Sequence, residues 1–215
     1  MEIQTTNTQL KRQLQSQKHT INHSVVIFID VSGYQKLNHI LGDDNCILII
    51  EALFRQLDTL VKALSLKPVK TNGDQYIVIS ETDKQLSKEA KQHNPTSVEI
   101  STLHALHFAT CAHDIVRNNK TLRKHNSGLR IGIASGPVVA GYPNRHMGGY
   151  DIWGLTVNLA AMLEKSTPKN TTAVCSKTLF CLPAYWQSRF KQTCLLVKNR
   201  RVNAFVTQMD KNLNH

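Results

Sequence analysis

Two acids in glycine-bearing segments have the type and placement to do chemistry. Asp30 closes the apolar run Val25–Ile29 and is followed by Val31-Ser32-Gly33-Tyr34. Asp74 follows Thr71-Asn72-Gly73 some forty residues on. If the segment around Asp74 pairs beside the first run, both carboxylates reach the same edge of a sheet. Like charges facing one gap repel unless a cation sits between them. Mg²⁺ suits such a pair, because it takes one or two protein carboxylates and fills its shell with water and phosphate oxygens. Two such ions can activate an attacking oxygen and stabilise a leaving one. Gly33 and Gly73 let backbone and phosphate approach closely. Each acid alone also fits a plainer role, Asp30 as a turn cap and Asp74 as part of an ordinary Asn-Gly-Asp hairpin. A third acid, Asp151, and an amide, Asn158, stand at the entrance of a helical stretch.

The elements that must position these groups follow from periodicity. Val25–Ile29 is continuously apolar, as in a strand buried on both faces. Cys46, Ile50, Leu53, Leu57, Leu60, Val61 and Leu64 recur at helical spacing and predict a long amphipathic helix, with Asp43 and Asp44 where its dipole favours acids. Asn72-Gly73 between two strand-like runs predicts a hairpin. Glu81 to Glu99 is polar, contains Pro95 and reads as a surface loop. Ile100, Leu103, Leu106, Ala109 and Ile115 predict a second helix. Leu129–Ala134 and Val138–Gly141 read as two strands separated by a turn at Ser135-Gly136-Pro137. Leu155–Lys165 is a short helix, and another lies near Ser176–Leu182. Thr172–Cys175, Leu195–Lys198 and Ala204–Gln208 are the last strands. Alternation interrupted by hairpins predicts an α+β fold, a mixed sheet with helices on its faces.

The 215 residues are 41% hydrophobic, enough for one sizeable domain. Residues 1–22 are polar and predict a flexible leader before a domain spanning 23–210. No apolar run approaches the ~20 residues of a membrane span, and the N-terminal segment lacks the apolar centre of a signal peptide. Five scattered cysteines without CxxC spacing fit reduced thiols in the cytoplasm. The net charge of +11 is spread over several clusters. No nucleic-acid motif accompanies it, so a solvated basic surface or a polyphosphate ligand is the simpler account. His104, His107 and Cys111 have metal-ligand spacing on a predicted helix but lack an evident fourth ligand.

Four strings stand in order along the chain: Phe28-Ile-Asp-Val-Ser-Gly-Tyr34, Val69-Lys-Thr-Asn-Gly-Asp-Gln-Tyr76, Leu129-Arg-Ile-Gly-Ile-Ala-Ser-Gly-Pro-Val-Val-Ala-Gly141, and Tyr150-Asp-Ile-Trp-Gly-Leu-Thr-Val-Asn-Leu-Ala-Ala161. Together they resemble the catalytic domain of class III adenylate/guanylate cyclases, from about Val25 to Thr207. The resemblance implies a ferredoxin-like domain acting as a head-to-tail homodimer, with two composite sites at the interface. It implies two Mg²⁺ or Mn²⁺ ions per site and attack of the ribose 3′-hydroxyl on the α-phosphate of a nucleoside triphosphate, releasing pyrophosphate. By position, Asp30, Asp74 and the Val31 carbonyl resemble the metal ligands. Lys70 and Asp151 match the base-reading pair. Lysine donates to a purine ring nitrogen and the acid accepts from the amino group of adenine, which implies ATP and a cyclic AMP product. Guanine presents the reverse pattern, which guanylate cyclases typically meet with Glu and Cys. Asn158 matches the ribose-orienting residue, and Tyr34 stands where the family usually has Phe, beside base or ribose. Lys198 matches a lysine on the terminal phosphates, although Asn199 replaces the usual glycine after it.

One position departs from the family. The arginine expected four residues after Asn158, which steadies charge on the α-phosphate, is Met162. Lys165 or Arg145 is a candidate replacement, and Arg200 and Arg201 could add charge near the phosphates. The departure leaves two alternatives beside an adenylate cyclase: a silent nucleotide-binding module, or a cyclase for GTP or a pyrimidine triphosphate. Pairing with a different cyclase-like chain is a further way to restore one site.

Overall fold

The Val25–Ile29 run is the middle of a 15-residue strand, β1 (Lys18–Ser32). The computed structural model describes residues 18–81, 97–143, 148–197 and 200–207. Strand β1 starts at Lys18, so residues 18–22, expected in the leader, belong to the sheet. They are held there because Lys18 to Ile21 pair with Gly141 to Val138. The leader expected over 1–17 lies outside the described residues, as does most of the loop expected at Glu81–Glu99.

The first helix α1 (Tyr34–Leu41) leads into the long helix α2 (Asp43–Ala63), whose apolar stripe Cys46, Ile50, Leu53, Leu57 and Val61 is buried. Strands β2 (Lys67–Asn72) and β3 (Gln75–Glu81) form the expected hairpin. Its two loop residues are Gly73 and Asp74. Gly73 has φ +61°, a conformation that costs glycine nothing and most other residues a good deal. Helix α3 (Ser97–Asn118) and a short α4 (Lys120–Lys124), capped by the Asn119 side chain on the Leu122 amide at 3.0 Å, follow.

Strand β4 runs unbroken from Gly128 to Gly141, where the sequence predicted a turn at Ser135-Gly136-Pro137. Pro137 has no N–H to give. The β1 partner strand compensates with a register shift between Ile21 and Ser24, which places the bulge opposite the proline. Strand β5 (Asp151–Trp153) is too short to show in the sequence and pairs with the end of β4. Helix α5 (Leu155–Ser166), strand β6 (Thr171–Val174), helices α6 (Ser176–Phe180) and α7 (Ala184–Gln187), and the hairpin β7 (Phe190–Val197) and β8 (Arg200–Thr207) complete the chain.

The main sheet order is β2-β3-β1-β4-β6-β8-β7, antiparallel except for the β4–β6 pair. It is the mixed sheet with helices on its faces that the sequence predicted. Alternation along β1 divides the core. Val25, Ile27, Ile29 and Val31 face one cluster with α2 and α3. Val26 and Phe28 face the other with Ala160 and Leu163 of α5. Asp30 continues the second face.

Gly132 lets α5 lie directly on β4. A Cβ there would stand 2.2 Å from the Ala160 carbonyl oxygen and 2.3 Å from the Glu164 nitrogen, both backbone atoms that cannot step aside. Gly132→Ala is expected to lower stability by about 3 kcal/mol, the upper end of ordinary overpacking. A urea unfolding curve measures it; an unchanged midpoint would mean that the helix is free to shift.

Candidate active site

Lys70 lies on the edge strand β2 and Asp151 opens β5, 81 positions later, yet Lys70 Nζ donates to Asp151 Oδ2 at 2.7 Å. Asp151 Oδ1 accepts from the Ile152 amide at 2.8 Å, which fixes the carboxylate's orientation. The pair stands at a cleft of about 430 Å³ whose other walls include Phe28, Asn72, Gln75, Ile77 and Val157. The apolar side chains of Phe28, Ile77 and Val157, with a donor and an acceptor side by side at Lys70 and Asp151, suit a flat heteroaromatic ring with a hydrogen-bonding edge.

The two acids meet at the neighbouring corner of the sheet. Asp30 pairs in register with Gln75 of β3, the residue after Asp74. Asp74 is half-buried, and its carboxyl lies above the usual range because burial and then the negative charge of Asp30 disfavour ionisation. The register also pairs Asp30 with Arg130 of β4. Arg130 donates to Asp30 Oδ2 from Nη2 at 2.6 Å and from Nε at 3.2 Å.

Above this row sits Glu164, carried by the inward face of α5 and only 1% exposed. Its Oε2 accepts from Gln75 Nε2 at 3.0 Å, and Arg130 Nε is 3.8 Å from its Oε1. Burial, helped by Asp30, pushes its carboxyl up to about 7 despite Arg130. Against an ordinary value of 4.5, the folded protein holds this proton where the unfolded chain has lost it. The stability it contributes is whole below pH 4.5 and drains away as pH climbs to about 7. Melting temperatures across that window should fall less steeply for Glu164→Gln than for the unsubstituted protein. Parallel curves would place the proton elsewhere.

Arg130 and Glu164 are the two groups that the sequence reading passed over. A charged residue amid the apolar strand Leu129-Arg130-Ile131 was the available signal, since a half-buried guanidinium requires a carboxylate partner. Tyr34 lies on the acid side. Burial, and then Cys46 within hydrogen-bonding reach, raise its phenol pKa, with a smaller effect from Asp74. It is not among the residues that line the Lys70–Asp151 cleft; the sequence reading set it beside base or ribose. Val31 is buried at the end of β1 beside Asp30. Asn158 is exposed on α5, directly after the cleft residue Val157, and Met162 is half-buried one turn further on. Lys165 is exposed in the last turn. Lys198 and Arg145 lie outside the described residues, and Arg201 is exposed at the start of β8.

The donor set fits a hard divalent cation. Two adjacent carboxylates leave most of a coordination shell to water and ligand oxygens, as Mg²⁺ prefers. Among the described residues no group of three or more His, Cys, Asp or Glu side chains is placed to enclose a metal, the arrangement that zinc would need.

The profile of the adenylate and guanylate cyclase catalytic domain matches residues 16–205. The chain belongs to this cyclase family. An adenylate cyclase of Mycobacterium bovis is 28% identical to the cyclase domain over 141 residues, covering 66% of this chain and 29% of the relative. The receptor-type guanylate cyclase Gyc76C of Drosophila melanogaster is 29% identical over 143 residues, covering 66% and 9%. The cyclase domain thus spans less than a third of either relative. Among solved structures, the adenylyl cyclase CyaB of P. aeruginosa superposes with a TM-score of 0.71 at 15% identity, over 91% of this chain and 97% of the other. The catalytic core of a rhodopsin-guanylyl cyclase with converted specificity, in complex with ATPαS, gives 0.70 at 20% identity, over 90% and 98%. Adenylate and guanylate cyclases therefore both resemble this domain. Among the described residues no helix is long and apolar enough to cross a membrane.

Proposed function

We propose that the domain converts ATP to 3′,5′-cyclic AMP and pyrophosphate, at sites shared between two copies of the chain. The observation that carries this reading is the Lys70–Asp151 pair, held at 2.7 Å in the cleft. Lys70 donates to a ring nitrogen of adenine and Asp151 accepts from its amino group. Phe28, Ile77 and Val157 offer apolar surface to the faces of the ring. At the acid corner, Asp30, Asp74 and the Val31 carbonyl would hold two Mg²⁺ or Mn²⁺ ions, which neutralise the triphosphate and polarise the attacking hydroxyl when bound. Asn158, exposed on α5, orients the ribose so that its 3′-oxygen faces the α-phosphorus in line with the leaving pyrophosphate. Lys198 steadies the terminal phosphates.

Met162 favours a second reading, a module that binds the nucleotide without turning it over. The deciding experiment incubates the purified protein with each nucleoside triphosphate and Mn²⁺ and assays for cyclic product, with Asp30→Ala as control. Cyclic AMP that disappears in the control supports the cyclase. Tight ATP binding with no cyclic product from any base would leave the silent module standing. Product chiefly from GTP or a pyrimidine triphosphate would replace the substrate assignment.

Base choice has its own test. Lys70→Glu combined with Asp151→Cys reverses the donor and acceptor pattern of the cleft. The ratio of kcat/KM for ATP over GTP is expected to fall by about 10²-fold, because the cleft then presents an acceptor and a donor where adenine needs the reverse, with solvent at the half-exposed Lys70 moderating the penalty. An unmoved ratio would mean that the pair does not read the base.

A further inference from the structure

Glu164 has a buried oxygen with nothing to accept. Oε1 makes no hydrogen bond, while Oε2 is occupied by Gln75. The nearest cation is Arg130, whose Nε stands 3.8 Å away, too far for a hydrogen bond. Arg130 spends Nε and Nη2 on a single oxygen, Asp30 Oδ2. A buried carboxyl oxygen left without a hydrogen-bond partner is costly. A guanidinium presents its donors as a planar fork that can meet a carboxylate two bonds at a time. The guanidinium therefore has two carboxylates within a short swing and is bonded to only one.

Asp30 Oδ2, with two Arg130 donors on it, has no lone pair left for a divalent cation, and a guanidinium this close repels a cation bound through Oδ1. We propose that Glu164 is the second seat of Arg130. When a divalent cation binds at Asp30, the guanidinium leaves Oδ2 and closes onto Glu164 Oε1. Glu164 then acts as a positioning residue. It never meets the cation, but it lowers the cost of clearing Asp30 by giving the displaced charge a partner. Gln75 keeps the receiving carboxylate turned towards Arg130 by holding its other oxygen. This inference rests on the reading of Asp30 as a cation-binding acid.

The test measures Mn²⁺ binding, not turnover. Free Mn²⁺ is followed by electron paramagnetic resonance in the presence of 3′-deoxy-ATP, which cannot cyclise, and is read against Mn²⁺ with 3′-deoxy-ATP alone. The unsubstituted chain, Glu164→Gln, Arg130→Gln and the double variant form a cycle that isolates the coupling between the two residues. Glu164→Gln is expected to weaken Mn²⁺ binding about tenfold where Arg130 is present, and less than twofold in the Arg130→Gln background. An equal loss in both backgrounds would mean that Glu164 acts through the fold or through bulk charge, and the second seat is wrong. No loss in either background overturns it equally. Glu164→Asp keeps the charge on a shorter arm and should fall between the extremes, which gives a reading if Glu164→Gln unfolds. Thermal unfolding without cation identifies such a variant. If the unsubstituted chain binds no Mn²⁺, or Asp30→Asn leaves binding untouched, the cation-binding reading of Asp30 fails first and takes this inference with it.

Discussion

Met162→Arg should raise the rate of cyclic product formation about 10²–10³-fold, equivalent to roughly 2.7–4 kcal/mol of barrier. Met162 lies on the same helix as Asn158, one turn further on, and is half-buried. Its thioether offers no charge to oxygens that gather negative charge as the α-phosphorus is attacked. A guanidinium held there by a packed helix would need little reorganisation when that charge develops, which makes preorganised donors effective. The gain should appear in kcat, with KM for ATP nearly constant, because the contact tightens mainly in the transition state. Steady-state kinetics with Mn²⁺ and ATP measures it. An unchanged kcat would show that another cation already fills the role. Lys165→Ala should then lower kcat by a comparable factor.

Asp30→Ala should cost at least about 10³-fold in product formation, since a misplaced divalent cation forfeits several kcal/mol of charge stabilisation. Truncation also strips Arg130 of the oxygen that it holds at 2.6 Å. Asp30→Asn is the cleaner companion, because it preserves shape while removing the charge that a cation requires. Both variants should lose activity, and Asp30→Asn should keep a melting temperature closer to that of the parent. Asp74→Asn should act in the same direction. Full activity in Asp30→Asn would remove the acid corner from the reaction.

The sequence made the scaffold legible where the signal was local. The apolar Val25–Ile29 run, the Asn-Gly hairpin and the stripe from Cys46 to Val61 each carry their own geometry, and each became the expected element. Pro137 misled because its tolerance in β4 depends on a bulge in another strand, more than a hundred residues earlier. Three residues of β5 are too few for any period to show. The site followed the same rule. Lys70 and Asp151 were found through motifs, and their contact at 2.7 Å depends on long-range packing that no periodicity encodes. Arg130 and Glu164 escaped notice because each looks ordinary in its own element. Only the register of β1 with β4, and the seating of α5 on Gly132, bring them together.

That seating has a mechanical consequence. Asn158, Met162 and Glu164 ride on one twelve-residue rod whose main chain rests against β4 with no side chain as a cushion. The close approach at Gly132 leaves the rod little room to rock towards β4, while its first residue, Leu155, is exposed. Asn158, which the proposed function sets beside the ribose, and Glu164, which lies over Arg130, are thereby carried on one body.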